Sequence, residues 1–146
     1  EAGIIPGFEE CPALRSEVKY GRGSRADLLL EGPGGRVFIE VKSVTLCRDG
    51  GQGLFPDAVS VRGRKHIEEL QAIRGSDARA VLFFCALHNG IEVVSAAGEI
   101  DPRYRAALAA AMEDGLEVLA WGANISPAGI TLQRPLPFAL DPEPRQ

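Results

Sequence analysis

Three side chains in the first third of the chain have the types and spacing for phosphate chemistry: Asp27, Glu40 and Lys42. Glu40 and Lys42 lie two apart in the apolar stretch VFIEVKSV, which reads as a strand. Side chains alternate along a strand, so the two share a face. This stretch and the upstream ADLLLEG flank GPGG, a turn by composition. A symmetric turn pairs Gly32 with Gly35, Glu31 with Arg36 and Leu30 with Val37, and continuing outward sets Asp27 opposite Glu40. Directly opposed residues have Cβ atoms about 4.5–5.5 Å apart. Two bare carboxylates that close repel, and one holds its proton. A divalent cation between them removes the conflict. Hard oxygen ligands of this kind suit Mg²⁺, with Mn²⁺ as a substitute; Mg²⁺ takes one or two carboxylates and keeps several waters. A cation there polarises a phosphoryl oxygen and lowers the pKa of a bound water. Lys42 would then orient that water or offset charge building on the phosphate. The plainer alternative is a solvated Glu-x-Lys pair contributing about 0–1 kcal/mol. A one-residue slip of register would also send Asp27 to the other face.

The elements that must hold these residues alternate between strand and helix. LRSEVKYG (14–21) reads as an edge strand, followed by the hairpin strands at 26–32 and 36–44. CRDGGQG (47–53) reads as a flexible loop. VRGRKHIEELQAI (61–73) reads as a helix with Ile67, Leu70 and Ile73 on its inner stripe. ARAVLFFCAL (78–87) reads as a central strand, apolar on both faces as though helices cover both sides of a sheet. DPRYRAALAAAMEDG is the clearest helix: Asp101 suits the N-cap, Pro102 the first turn and Gly115 the stop. LEVLAW and GITLQ read as later strands, and DPEPRQ as a polar tail that frays. The expected organisation is one α/β domain over 1–140, a mixed sheet flanked by helices, with a tail at 141–146.

Composition narrows the function classes. The 146 residues are 45% hydrophobic and 25% charged, a globular balance with room for a core. A net charge of −4 does not advertise a nucleic-acid partner, although local clusters decide such contacts. Cys11, Cys47 and Cys85 are widely separated, which fits a reducing cytoplasm better than a disulfide framework and offers no zinc spacing. The longest apolar run, AVLFFCAL, is far shorter than the roughly 20 residues of a membrane span. No signal peptide is visible, and a start at Glu1 is expected of a fragment or a processed chain.

Two basic runs flank the acids. Arg15, Lys19, Arg22 and Arg25 surround a single acid, Glu17, and residues 60–66 hold Arg62, Arg64 and Lys65 with no acid and His66 alongside. Arg25, Arg62, Lys65 and His66 are candidates to contact phosphates on either side of a scissile bond. The alternative for the second run is a solvated helix face with Lys65 paired to Glu69. His66 borders the stripe of Ile67 and Leu70, which turns it toward the sheet and the acids. Asp57, in FPDAVS, reads equally as a third carboxylate near the metal or a group in its outer shell, and as a turn or cap residue after Pro56.

Asp27, twelve residues, then Glu40-Val41-Lys42 resembles the signature of the PD-(D/E)xK nuclease superfamily. The blocks SRADLLLEG, EVKSVTL, FPDAVSVRGRKHIEEL, RAVLFF, IDPRYRAAL and LEVLAW, in order from Ser24 to Trp121, resemble the sugar fermentation stimulation protein A (SfsA) family. The resemblance implies a restriction-endonuclease-like core, nucleic-acid binding and a metal-dependent nuclease site. Asp27 and Glu40 match its metal-ligand positions and Lys42 its catalytic lysine. It also implies an N-terminal β-barrel of OB type ahead of this domain and a first core helix, of which EAGIIPGF would be the remnant; a glutamate some superfamily members supply from that helix is not placed on this sequence. The expected function is metal-dependent phosphodiester hydrolysis of DNA, with RNA as the alternative substrate and no membrane partner. The runner-up is a non-specific DNA-binding regulatory protein whose nuclease-like site does not turn over.

Overall fold

In a computed structural model of the chain, the described residues are 13–20, 24–75, 78–127 and 129–142. Among the described residues, ten strands form two sheets, and there are two helices. The larger runs β1-β2-β3-β6-β8-β9, comprising β1 (Ala13–Tyr20), β2 (Ser24–Gly32), β3 (Gly35–Val44), β6 (Ala78–Ala86), β8 (Glu117–Ser126) and β9 (Gly129–Leu136). β3, β6 and β8 are mutually parallel at its centre, and antiparallel pairs close both sides. The smaller sheet runs β10-β7-β5-β4, from β4 (Leu46–Arg48), β5 (Gln52–Phe55), β7 (Val93–Ala96) and β10 (Phe138–Ala139).

The β2–β3 hairpin follows from its turn. Pro33 and Gly34 take the two central positions, and Gly35 closes the turn at φ 115°, a conformation that glycine adopts without steric cost. The ladder then runs Gly32↔Gly35, Glu31↔Arg36, Leu30↔Val37, Leu29↔Phe38 and Leu28↔Ile39. β6 is central in the sheet and buried on both faces: Ala80, Leu82 and Phe84 join the cluster under the helices, and Val81 and Phe83 join a second cluster opposite.

The two helices are α1 (Val61–Ile73) and α2 (Pro102–Glu113). Both lie on one face of the large sheet. Ile67 and Leu70 of α1, with Tyr104, Leu108 and Ala111 of α2, pack onto Phe38, Ala80, Leu82 and Phe84. This follows from handedness: β3, β6 and β8 advance in one direction across the sheet, so two right-handed crossovers deliver their helices to the same side. The opposite face holds a separate cluster of Val37, Ile39, Val81, Phe83 and Trp121. An aromatic chain ties the sheets together: Phe138 stacks on Phe84 at 5.4 Å, and Phe55 meets Phe84 and Tyr104, each at 5.5 Å.

One carboxylate fixes the starts of both helices. Asp101 caps α2 by accepting from the Tyr104 N–H at 3.0 Å, and its other oxygen accepts from the Ser60 N–H at 2.8 Å. Ser60 in turn caps α1, its hydroxyl accepting from the Gly63 N–H at 2.9 Å. At Gly63 the helices come close: a Cβ there would stand 2.6 Å from Ser60 Oγ and 3.1 Å from the Tyr104 ring. The start of the polar tail is held too, because Asp141 takes a two-pronged ion pair from Arg105 at 2.9 and 2.6 Å. Residues 143–146 and Cys11 lie outside the described residues. Among the described residues no helix is long and apolar enough to cross a membrane.

Candidate functional site

Strand parity decides which side chains meet. Phe38 and Val44 point to the helix-covered face, so Glu40 and Lys42, between them in the same alternation, point there as well. Asp27 shares the parity of Leu29, which also packs on that face. The hairpin ladder reaches Leu28↔Ile39, one step short of Asp27 and Glu40. There the side chain replaces the strand partner: Asp27 Oδ2 accepts from the Val41 backbone N–H at 2.7 Å. This bond fixes one oxygen of Asp27 against β3.

Glu40 is 5% exposed, an unusual depth for a carboxylate. Its Oε2 lies 3.3 Å from Lys42 Nζ and 3.3 Å from His66 Nδ1. Lys42 Nζ is in turn 3.0 Å from His66 Nδ1, so three polar atoms from β3 and α1 form a tight triangle. Glu40 Oε1 is buried and has no hydrogen-bond partner. Burial pushes the Glu40 carboxyl above its ordinary pKa; Lys42 pulls the other way, Asp27 adds to the rise, and Arg62 opposes it. Burial also holds the His66 imidazole below its ordinary value, helped by the charges of Lys42 and Arg62. The same surroundings disfavour the charged imidazolium form of His66.

The other sequence-derived candidates divide by position. Arg62 is exposed on the first turn of α1, yet its charge is felt by both Glu40 and His66, which puts it at the rim of the site. Lys65 is exposed one turn along. Asp57 is exposed in the bend between β5 and α1. Arg25 lies on β2 opposite Lys19 of β1, and the side chains of both fall outside the described residues. Among the described residues no group of three or more His, Cys, Asp and Glu side chains is gathered closely enough to hold a metal. Asp57 and His66 therefore do not complete a three-ligand set with Asp27 and Glu40.

Two supporting features escape a reading of the sequence. Tyr104 is fully buried with its hydroxyl unpaired, and its pKa is pushed up by burial, then by the charges of Glu40 and Asp101. Asp101 is legible as a cap of α2, but its bond to Ser60 spans 41 positions, and no local signal carries that.

Comparison with known proteins bears on the family and the fold. The family described as "Sugar fermentation stimulation protein RE domain" matches residues 1–129. A sugar fermentation stimulation protein homolog from Teredinibacter turnerae is 48% identical over 143 residues, covering 95% of this chain and 60% of that protein. One from Pseudomonas paraeruginosa is 50% identical over 141 residues, with coverage of 95% and 60%. A solved structure of SfsA from Pyrococcus furiosus in complex with Ca²⁺ superposes with a TM-score of 0.84 at 31% identity, covering 94% of this chain and 59% of that one. The chain thus spans about 60% of the length of the relatives it matches.

Proposed function

This chain belongs to the sugar fermentation stimulation protein family, and we propose that it hydrolyses phosphodiester bonds of DNA at Asp27, Glu40 and Lys42 with the help of a divalent cation. The observation that carries the reading is Glu40 Oε1, a buried carboxylate oxygen with no partner, next to the anchored carboxylate of Asp27. A buried acid left half-satisfied is costly unless something cationic completes it. The Lys42 ammonium and the His66 ring both stand against Oε2, at 3.3 Å each, and leave Oε1 to another partner. The donor set of two acid oxygens suits a hard, oxygen-seeking ion, Mg²⁺ or Mn²⁺. The Ca²⁺ bound by the Pyrococcus furiosus relative supports an ion of that class.

Asp27 and Glu40 would hold the ion, which when bound supplies polarisation of a phosphoryl oxygen and acidification of water. Asp27 offers an oxygen fixed by its bond to Val41, so little ordering is left to complete on binding. Lys42 carries donors only, so it cannot ligate while protonated. Its ammonium, on the same face, orients the attacking water or meets charge on the phosphate. Arg62 and Lys65, exposed on α1, contact flanking phosphates and set position rather than sequence.

The test is cleavage of labelled single- and double-stranded DNA at low salt with micromolar protein. Mg²⁺ or Mn²⁺ should support cutting and EDTA should stop it. Glu40→Gln should bind DNA without cutting it. Wild type that binds DNA yet never cuts it, with any metal and in the full-length chain, would select the non-catalytic regulatory reading instead.

A further inference from the structure

We infer that His66 is a positioning residue: its Nδ1 accepts a hydrogen bond from the Lys42 ammonium and holds that ammonium away from full collapse onto Glu40. The inference rests on the reading of Lys42 as a catalytic residue, and extends it to a group on α1.

The argument is one of donors and acceptors. Lys42 Nζ lies 3.0 Å from His66 Nδ1 and 3.3 Å from Glu40 Oε2, and those two atoms lie 3.3 Å from each other. An ammonium has three N–H donors and no acceptor. If Nδ1 carried the imidazole proton it would face Lys42 donor to donor at 3.0 Å. With the proton on Nε2, Nδ1 is an acceptor, and the ammonium gives one N–H to each of two acceptors that would otherwise repel. With Lys42 as an ammonium and Glu40 as a carboxylate, that tautomer is the one that gives the 3.0 Å contact a donor and an acceptor.

The geometry has a mechanical consequence. A lysine is a flexible stem carrying a point charge. Held by Glu40 alone, its ammonium would settle on the carboxylate and neutralise the acid. Held also by α1, it is drawn toward the helix side of the site. His66 is kept in place by the rest of α1: Ile67 and Leu70 beside it are fully buried, and the start of the helix is fixed through Ser60 to Asp101. The position of Lys42 is therefore set by a helix whose start is tied to α2.

Two measurements on the whole chain test this. The first needs neither metal nor DNA. The chain has only two histidines, His66 and His88, so ring-nitrogen NMR on ¹⁵N-histidine-labelled protein at pH 8 is readily assigned. His66 should show an unprotonated, hydrogen-bonded Nδ1 and a protonated Nε2. Lys42→Met should shift that Nδ1 resonance and leave His88, whose Nδ1 accepts from the Gly90 N–H, unmoved. The second is cleavage kinetics with Mn²⁺. His66→Leu should lower kcat roughly 10–100-fold with KM within about twofold, the size expected when a supporting group is lost. His66→Asn, whose Oδ1 can stand near the place of Nδ1, should recover most of the loss. A protonated Nδ1, or no response of Nδ1 to Lys42→Met, overturns the inference. So do equal losses in the Leu and Asn variants, and so does a loss confined to KM, which would make His66 a phosphate contact. If wild type cuts no DNA, the nuclease reading fails on its own, and the nitrogen resonances still decide whether His66 holds Lys42.

Discussion

Replacing Asp101 with alanine removes two bonds at once, and the structure sets their size. The Tyr104 N–H loses its cap, which costs about 0.5–2 kcal/mol. The Ser60 N–H, bonded to Asp101 at 2.8 Å, is left partly buried and unpaired, at about 1–3 kcal/mol. Together the expected loss is about 1.5–5 kcal/mol. In a domain of this size, 1 kcal/mol moves Tm by roughly 2–4 °C, so the variant should melt about 3–20 °C lower. Asp101→Asn keeps one acceptor oxygen and should lose about half as much. The pH dependence has a definite sign. Burial alone would raise the Asp101 carboxyl, but the N–H groups of Ser60 and Tyr104 outweigh it and hold the folded value below the ordinary carboxylate range. Its contribution is therefore complete above about pH 4, the unfolded value, and fades as pH falls through the depressed folded value. Circular-dichroism melts at pH 7 and pH 3 give both readings. A loss under about 0.5 kcal/mol at pH 7 would refute the double-cap account, as would a gap between wild type and variant that stays constant into acid.

Glu40 has the opposite sign: its carboxyl is raised, so the metal-free protein should lose stability as pH rises through that raised value, and Glu40→Gln should lack this slope in denaturant melts. Saturating Mg²⁺ or Mn²⁺ at 100 times Kd should stabilise wild type by about 2.7 kcal/mol and leave Glu40→Gln and Asp27→Asn unshifted in the same melts. Gly63→Ala should destabilise by about 1–3 kcal/mol, because overpacking against Tyr104 and disturbance of the Ser60 cap outweigh a better helix propensity. Arg62→Glu with Lys65→Glu should weaken DNA binding similarly across sequences and flatten the slope of log K against log salt by about 2, read by fluorescence anisotropy at several salt concentrations.

The acids were legible because their placement is local. A proline-glycine turn fixes a register, and strand alternation does the rest, so Asp27, Glu40 and Lys42 could be set on one face by counting. Even so, the ladder stops one pair early, because Asp27 spends an oxygen on the Val41 N–H. The caps at Asp101 and Gly115 were legible for the same local reason. The small sheet was not. Residues 47–53, read as a flexible loop, contribute to β4 and β5, joined by a turn whose Gly50 and Gly51 have φ of 81° and 78°. Strands of three or four residues, and the two residues of β10, are too short to show a period. The apolar character of β6 on both faces pointed to helices on both sides. Handedness instead places both described helices together. Asp57, left open between outer-shell and turn roles, is exposed in a bend. The helical stripe showed that His66 borders the core, but no spacing rule gives a distance across 24 residues to Lys42.

The turn at Pro33–Gly34 makes length itself a constrained trait of this chain. Between Asp27 and Glu40 the number of residues, more than their identity, sets which face each acid takes. A single inserted codon there, unless absorbed as a bulge, would slip the pairing by one and rotate Asp27 onto the face of Leu28 and Leu30. Such a chain could keep its apolar content and its helices while its two acids no longer faced the same way. Substitutions at the tip should be easy by comparison, since a Cβ at Gly34 meets nothing within 4 Å. Lineages carrying this hairpin are therefore expected to vary in the letters of the turn and to hold its length fixed.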